Sequence, residues 1–214
     1  MSAAKSERER PSYLFYDFVK ITAALPGLLW YRPKLIYEND AARERIRGGA
    51  LVIANHIGFF DPVYLHCAVW YRRMHFVCLQ QFFDSSWGWF FRAVHCIPID
   101  KNNVGIESVR EIIRHLKAGG IVSMFPEGHV NDGSGELDAF KSGAVLMALR
   151  GGAPVLPVYI RPKKHWYDRL IMVIGQRVDV KELTSGKGGV AGMDAAAQLL
   201  LEKERQLKEL IGRS

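Results

Sequence analysis

The sequence predicts an α/β fold with a largely parallel or mixed central sheet flanked by helices. From residue 50 onward, short apolar runs rich in branched residues recur between turn formers, as buried strands do. Between them lie segments with apolar residues at helical spacing, closing on basic residues or glycine. Strand and helix thus alternate, and that alternation places helices over the faces of a parallel sheet. At 214 residues the chain is long enough for one domain to bury most of its surface.

The first element precedes that pattern. Residues 13–31, YLFYDFVKITAALPGLLWY, place Tyr13, Asp17, Lys20 and Ala24 on one helical face. Leu14, Phe15, Phe18, Val19, Ile21 and Leu25 occupy the other. Two charges in the first half and the Pro26-Gly27 breaker in the second disfavour a membrane-spanning helix. Aromatic residues at both ends, with YRPK beyond, suit an amphipathic segment lying at an anionic membrane interface; the other reading is a helix docked on its own domain. The expected division is a tail with an interfacial helical segment at 1–35 and an α/β domain at 36–214.

The strands follow in order: ALVIA (50–54), HFVCL (75–79), CIPI (96–99), IVSMF (121–125), PVLPVYI (154–160) and LIMVIG (170–175). Helices are expected in PVYLHCAVWYRR (62–73), in GIESVREIIRHLKAGG (105–120) and in FKSGAVLMALRGG (140–152). A last amphipathic helix is expected over 194–211. LTSGKGGVAG (183–192) reads as a flexible loop. The aromatic stretch FFDSSWGWFF (82–91) reads as core, with an acyl groove or an interfacial patch as the alternative.

Composition narrows the function classes. With 29 Lys and Arg against 22 Asp and Glu, the net charge of +7 favours acidic partners such as anionic lipid or a phosphorylated substrate. No basic region with heptads, zinc-finger spacing or ribonucleoprotein motif is present, so nucleic acid is not an expected partner. Three cysteines without a CxxC indicate neither a disulfide framework nor a thiolate metal site. The charged MSAAKSERER start, with no small-residue cleavage site after it, points to the cytoplasmic side.

Chemistry concentrates in two loops. ANHIGFFDP (54–62) places Asn55, His56 and Asp61 directly after a strand, where α/β sheets bind their ligands. Asp61 before Pro62 fits a helix N-cap. A carboxylate near a histidine selects its tautomer and stabilises the imidazolium, which makes a general base; a capping Asp beside an unrelated loop His is the equal alternative. The second loop, FPEGHVNDGSGELDAFKSGA (125–144), carries Glu127, Gly128, His129 and Lys141 after another buried strand. HCIPIDK (95–101) puts Lys101 after a third. His66, His75, His95 and His115 show no ligand spacing and read as structural or surface residues.

Taken in order, the NHxxxxD-like NHIGFFD, the IDK strand end, FPEG and the Val-Pro strand APVLPVYI resemble the glycerolipid acyltransferase superfamily, lysophosphatidate acyltransferases in particular. FKSGA adds to the likeness, which spans about residues 50–175. The resemblance implies that His56 activates the acceptor hydroxyl and Asp61 orients it. It further implies that Glu127 and Gly128 build the acceptor site with Lys101 near its phosphate. Asn55, Lys141 and His129 are further acceptor-site candidates.

Direct transfer from a thioester requires base catalysis and exclusion of water, but no covalent enzyme intermediate. The lack of a GxSxG elbow, an HExxH pair or a Walker loop agrees with that chemistry, and no metal or cofactor is expected beyond acyl-CoA or acyl carrier protein as donor. One departure stands out. Val130 occupies the place of the arginine in the family pattern FPEGTRS, and Lys101 that of the second-motif arginine. Lysine is a point charge and valine none, so Lys141, Arg161, Lys163 and Lys164 are the candidates to grip a phosphate instead, with an ordinary solvated face as the alternative for each.

The function expected is therefore acyl transfer to a lysophospholipid, lysophosphatidate first, at the cytoplasmic face of a membrane. Another lysolipid or aminolipid acceptor, a non-catalytic lipid-binding module and a thioester hydrolase are the rivals.

Overall fold

The structure, a computed structural model, describes residues 12–100, 105–131, 136–163, 165, 167–184 and 189–213. Lys101 and Lys164 lie outside the described residues. Seven strands form one sheet: β1 (Lys34–Tyr37), β2 (Ala50–Ala54), β3 (Met74–Leu79), β4 (Ile97–Ile99), β5 (Ile121–Met124), β6 (Val155–Ile160) and β7 (Ile171–Ile174). Their order is β1-β7-β6-β2-β5-β3-β4. The five from β6 to β4 are parallel, β7 runs antiparallel to β6, and β1 pairs parallel with β7, so the sheet is mixed as the sequence leads one to expect.

Every residue of β2 is buried, which explains its unbroken apolar run: a central parallel strand is covered on both faces. Ala50, Val52 and Ala54 point into one core with α3 (Asp61–Ala68). Leu51 and Ile53 point into the other, with α6 (Ile106–Lys117), α7 (Gly143–Gly151) and α9 (Gly189–Leu210). Short helices α2 (Asp40–Arg43), α4 (Gln80–Asp84), α5 (Gly88–Ala93) and α8 (Val180–Thr184) fill connections.

The first helix, α1 (Leu14–Tyr31), continues through Pro26, where a breaker was expected. Its orientation reverses that of an ordinary amphipathic helix. Tyr16 is buried; its hydroxyl donates to Met74 O at 2.9 Å and accepts the Met74 N–H at 2.8 Å. Lys20 donates to Arg72 O at 2.8 Å, and Asp17 takes a two-pronged contact from Arg73 at 2.6 and 2.8 Å. The polar face is thus docked on the domain. The apolar face is open, with Leu14 at 82%, Phe18 at 62%, Leu29 at 80% and Trp30 at 63% exposure. Among the described residues no helix is long and apolar enough to cross a membrane.

Three details differ from expectation. KLIY (34–37) is too short and too mixed for its alternation to register in the sequence, yet it adds strand β1 at the sheet edge. Both ends of the 183–192 stretch are helical, in α8 and α9, and residues 185–188 lie outside the description. The aromatic stretch is split rather than core: Phe83 is buried, but Trp87 and Trp89 are exposed, and Phe15 of α1 lies 5.9 Å from Trp89, ring to ring.

Candidate active site

Strands β2 and β5 are hydrogen-bonded neighbours, with Ile53 opposite Met124, so the loops that follow them open side by side at one edge of the sheet. The Asn131 N–H donates to His56 O at 2.6 Å and ties the two loops together. Phe125 stacks flat on the His56 ring, 4.1 Å between centroids at 11°.

Asp61 does not cap its helix; Phe60 is the N-cap residue and Asp61 begins the first turn. Its carboxylate turns back into the loop instead. Oδ2 receives His56 Nδ1 at 2.7 Å and the backbone N–H groups of Ile57 and Gly58 at 2.7 and 3.0 Å. A carboxylate accepts only, so Nδ1 carries the proton and Nε2 is the basic nitrogen. Asp61 is fully buried while the His56 side chain keeps 21% of its exposure, so the pair presents a fixed imidazole to the outside. Oδ1 of Asp61 has no hydrogen-bond partner among the described residues.

Glu127 is buried, and burial first of all pushes its carboxyl up. Oε2 accepts from Asn131 Nδ2 at 3.3 Å, whereas Oε1 has no partner among the described residues. Gly128 has φ +75, in the left-handed region that glycine enters without strain. A β-carbon there would lie 3.0 Å from Lys141 Nζ, so the Lys141 ammonium rests against the FPEG turn. The Lys141 backbone N–H donates to Pro126 O at 3.1 Å, which fixes that approach.

The remaining candidates are engaged within the protein. Asn55 is buried, and its amide holds β6 in both directions, donating to Ile160 O at 2.9 Å and accepting the Ile160 N–H at 2.7 Å. His129 bonds Glu127 O through Nδ1 at 3.1 Å and Asp138 through Nε2 at 2.8 Å. Val130 is 53% exposed and offers no polar group. Lys163 sits over the rings of Tyr31 and Tyr64 at 4.6 and 5.9 Å. Glu127, His129 and Asp138 bring ligand atoms within 4.8 Å of one another, a grouping the sequence reading did not single out.

Sequence reasoning also missed Glu204, a fully buried carboxyl on α9 whose Oε1 accepts the Asn55 N–H at 2.7 Å. One of three glutamates in a charged helical stretch, LLLEKERQLKEL, Glu204 carries no signal of burial.

The structure thus sets a carboxylate-held histidine beside an FPEG turn, on the carboxyl edge of a mixed sheet. Residues 34–161, more than half of the chain, match the Acyltransferase family, and the chain belongs to it. It is 29% identical over 171 residues to the 1-acyl-sn-glycerol-3-phosphate acyltransferase of Bacillus subtilis (strain 168), covering 76% of this chain and 84% of that protein. To the protein of the same name from Streptococcus pneumoniae (strain ATCC BAA-255 / R6) it is 25% identical over 206 residues, covering 92% and 74%. The crystal structure of the 1-acyl-sn-glycerophosphate (LPA) acyltransferase PlsC from Thermotoga maritima shares the fold at a TM-score of 0.65 and 22% identity, over 93% of this chain and 82% of that one.

Proposed function

We propose that this acyltransferase moves a fatty acyl group from acyl-CoA or acyl carrier protein to the free hydroxyl of a lysophospholipid, lysophosphatidate first, at the cytoplasmic face of a membrane. The observation that carries the reading is the 2.7 Å contact between His56 Nδ1 and the buried Asp61 carboxylate. The names of the relatives support the acceptor.

His56 Nε2 takes the proton of the acceptor hydroxyl as its oxygen attacks the thioester carbonyl. Asp61 offsets the charge on the resulting imidazolium. Collapse of the tetrahedral adduct breaks the carbon–sulfur bond, and the imidazolium returns the proton to the leaving thiolate. The step requires no metal and no covalent enzyme intermediate.

In the acceptor subsite, the unpartnered Glu127 Oε1 receives a hydroxyl of the acceptor, since a buried oxygen of this kind is ordinarily hydrogen-bonded. Lys141 supplies the cation that Val130 does not. Lys101, outside the described residues, is a second cation in this role. The unit 1–35 serves as the interfacial segment and 36–214 as the catalytic domain, with the open apolar face of α1 in the lipid and the docked polar face on the protein.

The test is transfer of labelled acyl chains by the purified protein from both donors to a panel of lysolipids. Transfer to lysophosphatidate supports the full reading. Transfer only to an acceptor without phosphate ties Val130 to altered specificity, and release of free fatty acid without acceptor turnover makes the protein a hydrolase.

A further inference from the structure

Glu204 is a buried group that the acyl-transfer step does not use. It lies on α9, beyond the family-matched residues 34–161, and reaches across 149 positions of sequence to the N–H of Asn55 at 2.7 Å. Oε2 has no hydrogen-bond partner among the described residues. Asn55 is the residue between the end of β2 and His56. Pairing of β2 with β5 ends at Ile53 and with β6 at Ala54, so the next N–H is buried just where the ladder gives out. A buried N–H needs an acceptor. Taking a carboxyl group out of water for that purpose is costly. Burial, with Glu127 nearby, pushes the Glu204 carboxyl well above the usual carboxylate range.

We propose that Glu204 is a positioning residue of the active site: by holding the Asn55 N–H it fixes how the chain leaves β2, and so aims the His56 imidazole along the Asp61 carboxylate. The proposal rests on the reading of His56 as the base. Three ties then define the loop from three sides. The Asn55 amide anchors it to β6, the Asn131 N–H holds His56 O from the FPEG loop, and Glu204 holds the Ala54–Asn55 peptide from α9. Without the last, the buried Ala54–Asn55 peptide loses its acceptor and the turn out of β2 into His56 is less tightly held. A displacement near 1 Å at a reacting group costs about 10²-fold in rate.

Glu204→Gln keeps an oxygen at the same reach in neutral form, and Glu204→Met fills similar volume with no acceptor. Both are compared with wild type and His56→Ala for transfer from labelled acyl-CoA to lysophosphatidate, with amide hydrogen exchange followed over residues 52–61. Glu204→Gln is expected within about threefold of wild-type kcat, and Glu204→Met about 10–100-fold lower with little change in acceptor KM and faster exchange at 55–57. A purely structural role would lower thermal stability but leave the kcat of the folded protein intact.

Wild-type kcat and exchange in Glu204→Met, or equal loss in Glu204→Gln and Glu204→Met, overturns the proposal. Should Glu204→Met not fold, Glu204→Asp, which withdraws the acceptor by one methylene, is judged in the same way against Glu204→Gln. If His56→Ala itself retains transfer, the reading of the base has failed, and the exchange data alone then decide whether Glu204 holds the loop.

Discussion

His56 and Asp61 are joined at 2.7 Å through an oxygen that also collects the N–H groups of Ile57 and Gly58. One buried atom therefore shapes the loop and sets the histidine tautomer together. Asp61→Asn retains the shape but removes the charge that stabilises the imidazolium. A fall in kcat of about 10²–10⁴ is expected, with the circular dichroism spectrum unchanged. An Asn variant with near-normal kcat would reduce Asp61 to a loop brace.

Gly128→Ala tests the FPEG turn. A side chain at φ +75 costs about 1–2 kcal/mol, and the new methyl would press on Lys141 Nζ. Lower thermal stability and a raised acceptor KM are expected together; a stability loss with KM unchanged would detach Lys141 from the acceptor.

Lys141→Gln removes the ammonium itself. Charge-assisted hydrogen bonds contribute about 1.5–3 kcal/mol, which corresponds to a rise of roughly 10–100-fold in KM for lysophosphatidate. An acceptor lacking phosphate should be affected much less. Adding Lys101→Gln should deepen the effect, and an unchanged KM in the double variant would remove both residues from phosphate recognition.

Phe18 and Leu29 lie on the open face of α1 and are 62% and 80% exposed. Phe18→Ser with Leu29→Ser is expected to weaken co-sedimentation with anionic vesicles by tenfold or more, because each apolar side chain contributes about 1.5–3 kcal/mol when fully buried. Thermal stability should stay within about 1 kcal/mol, since neither residue packs in the core. Undiminished vesicle binding would exclude this face as the docking surface.

His66 and His75 lie where α1 meets the domain, and burial lowers both to about 4. Between pH 4 and the unfolded value near 6.5 the unfolded chain binds more protons than the folded one, so stability rises with pH across that window and is complete above it. Acidification from pH 7 to 4 should therefore remove about 3 kcal/mol for each histidine. Urea midpoints at pH 7, 5.5 and 4.5 measure this. The slope should flatten in His75→Phe, and an equally steep slope there would place the titration elsewhere.

Much of the site was legible because strand ends are marked by turn formers: ALVIA ending at NH and IVSMF ending at PEG place two loops on one sheet edge from spacing alone. What spacing does not encode is direction across space. Asp61 reads in sequence equally as a helix cap and as the partner of His56, and the fold decides between them by turning its carboxylate back to His56. Tyr13, Asp17 and Lys20 define a polar face, yet nothing local says that this face meets Arg72 and Arg73 while the apolar one stays open. Glu204 was invisible because its partner is 149 residues away, and KLIY because an edge strand of four residues is too short for periodicity to act.

The role of His56 as general base carries the whole mechanism. It is tested most directly by acyl transfer to lysophosphatidate by His56→Ala beside wild type, both verified as folded. A loss of at least about 10²-fold in kcat is expected, with acceptor binding retained. Transfer by His56→Ala at a rate close to wild type would contradict it.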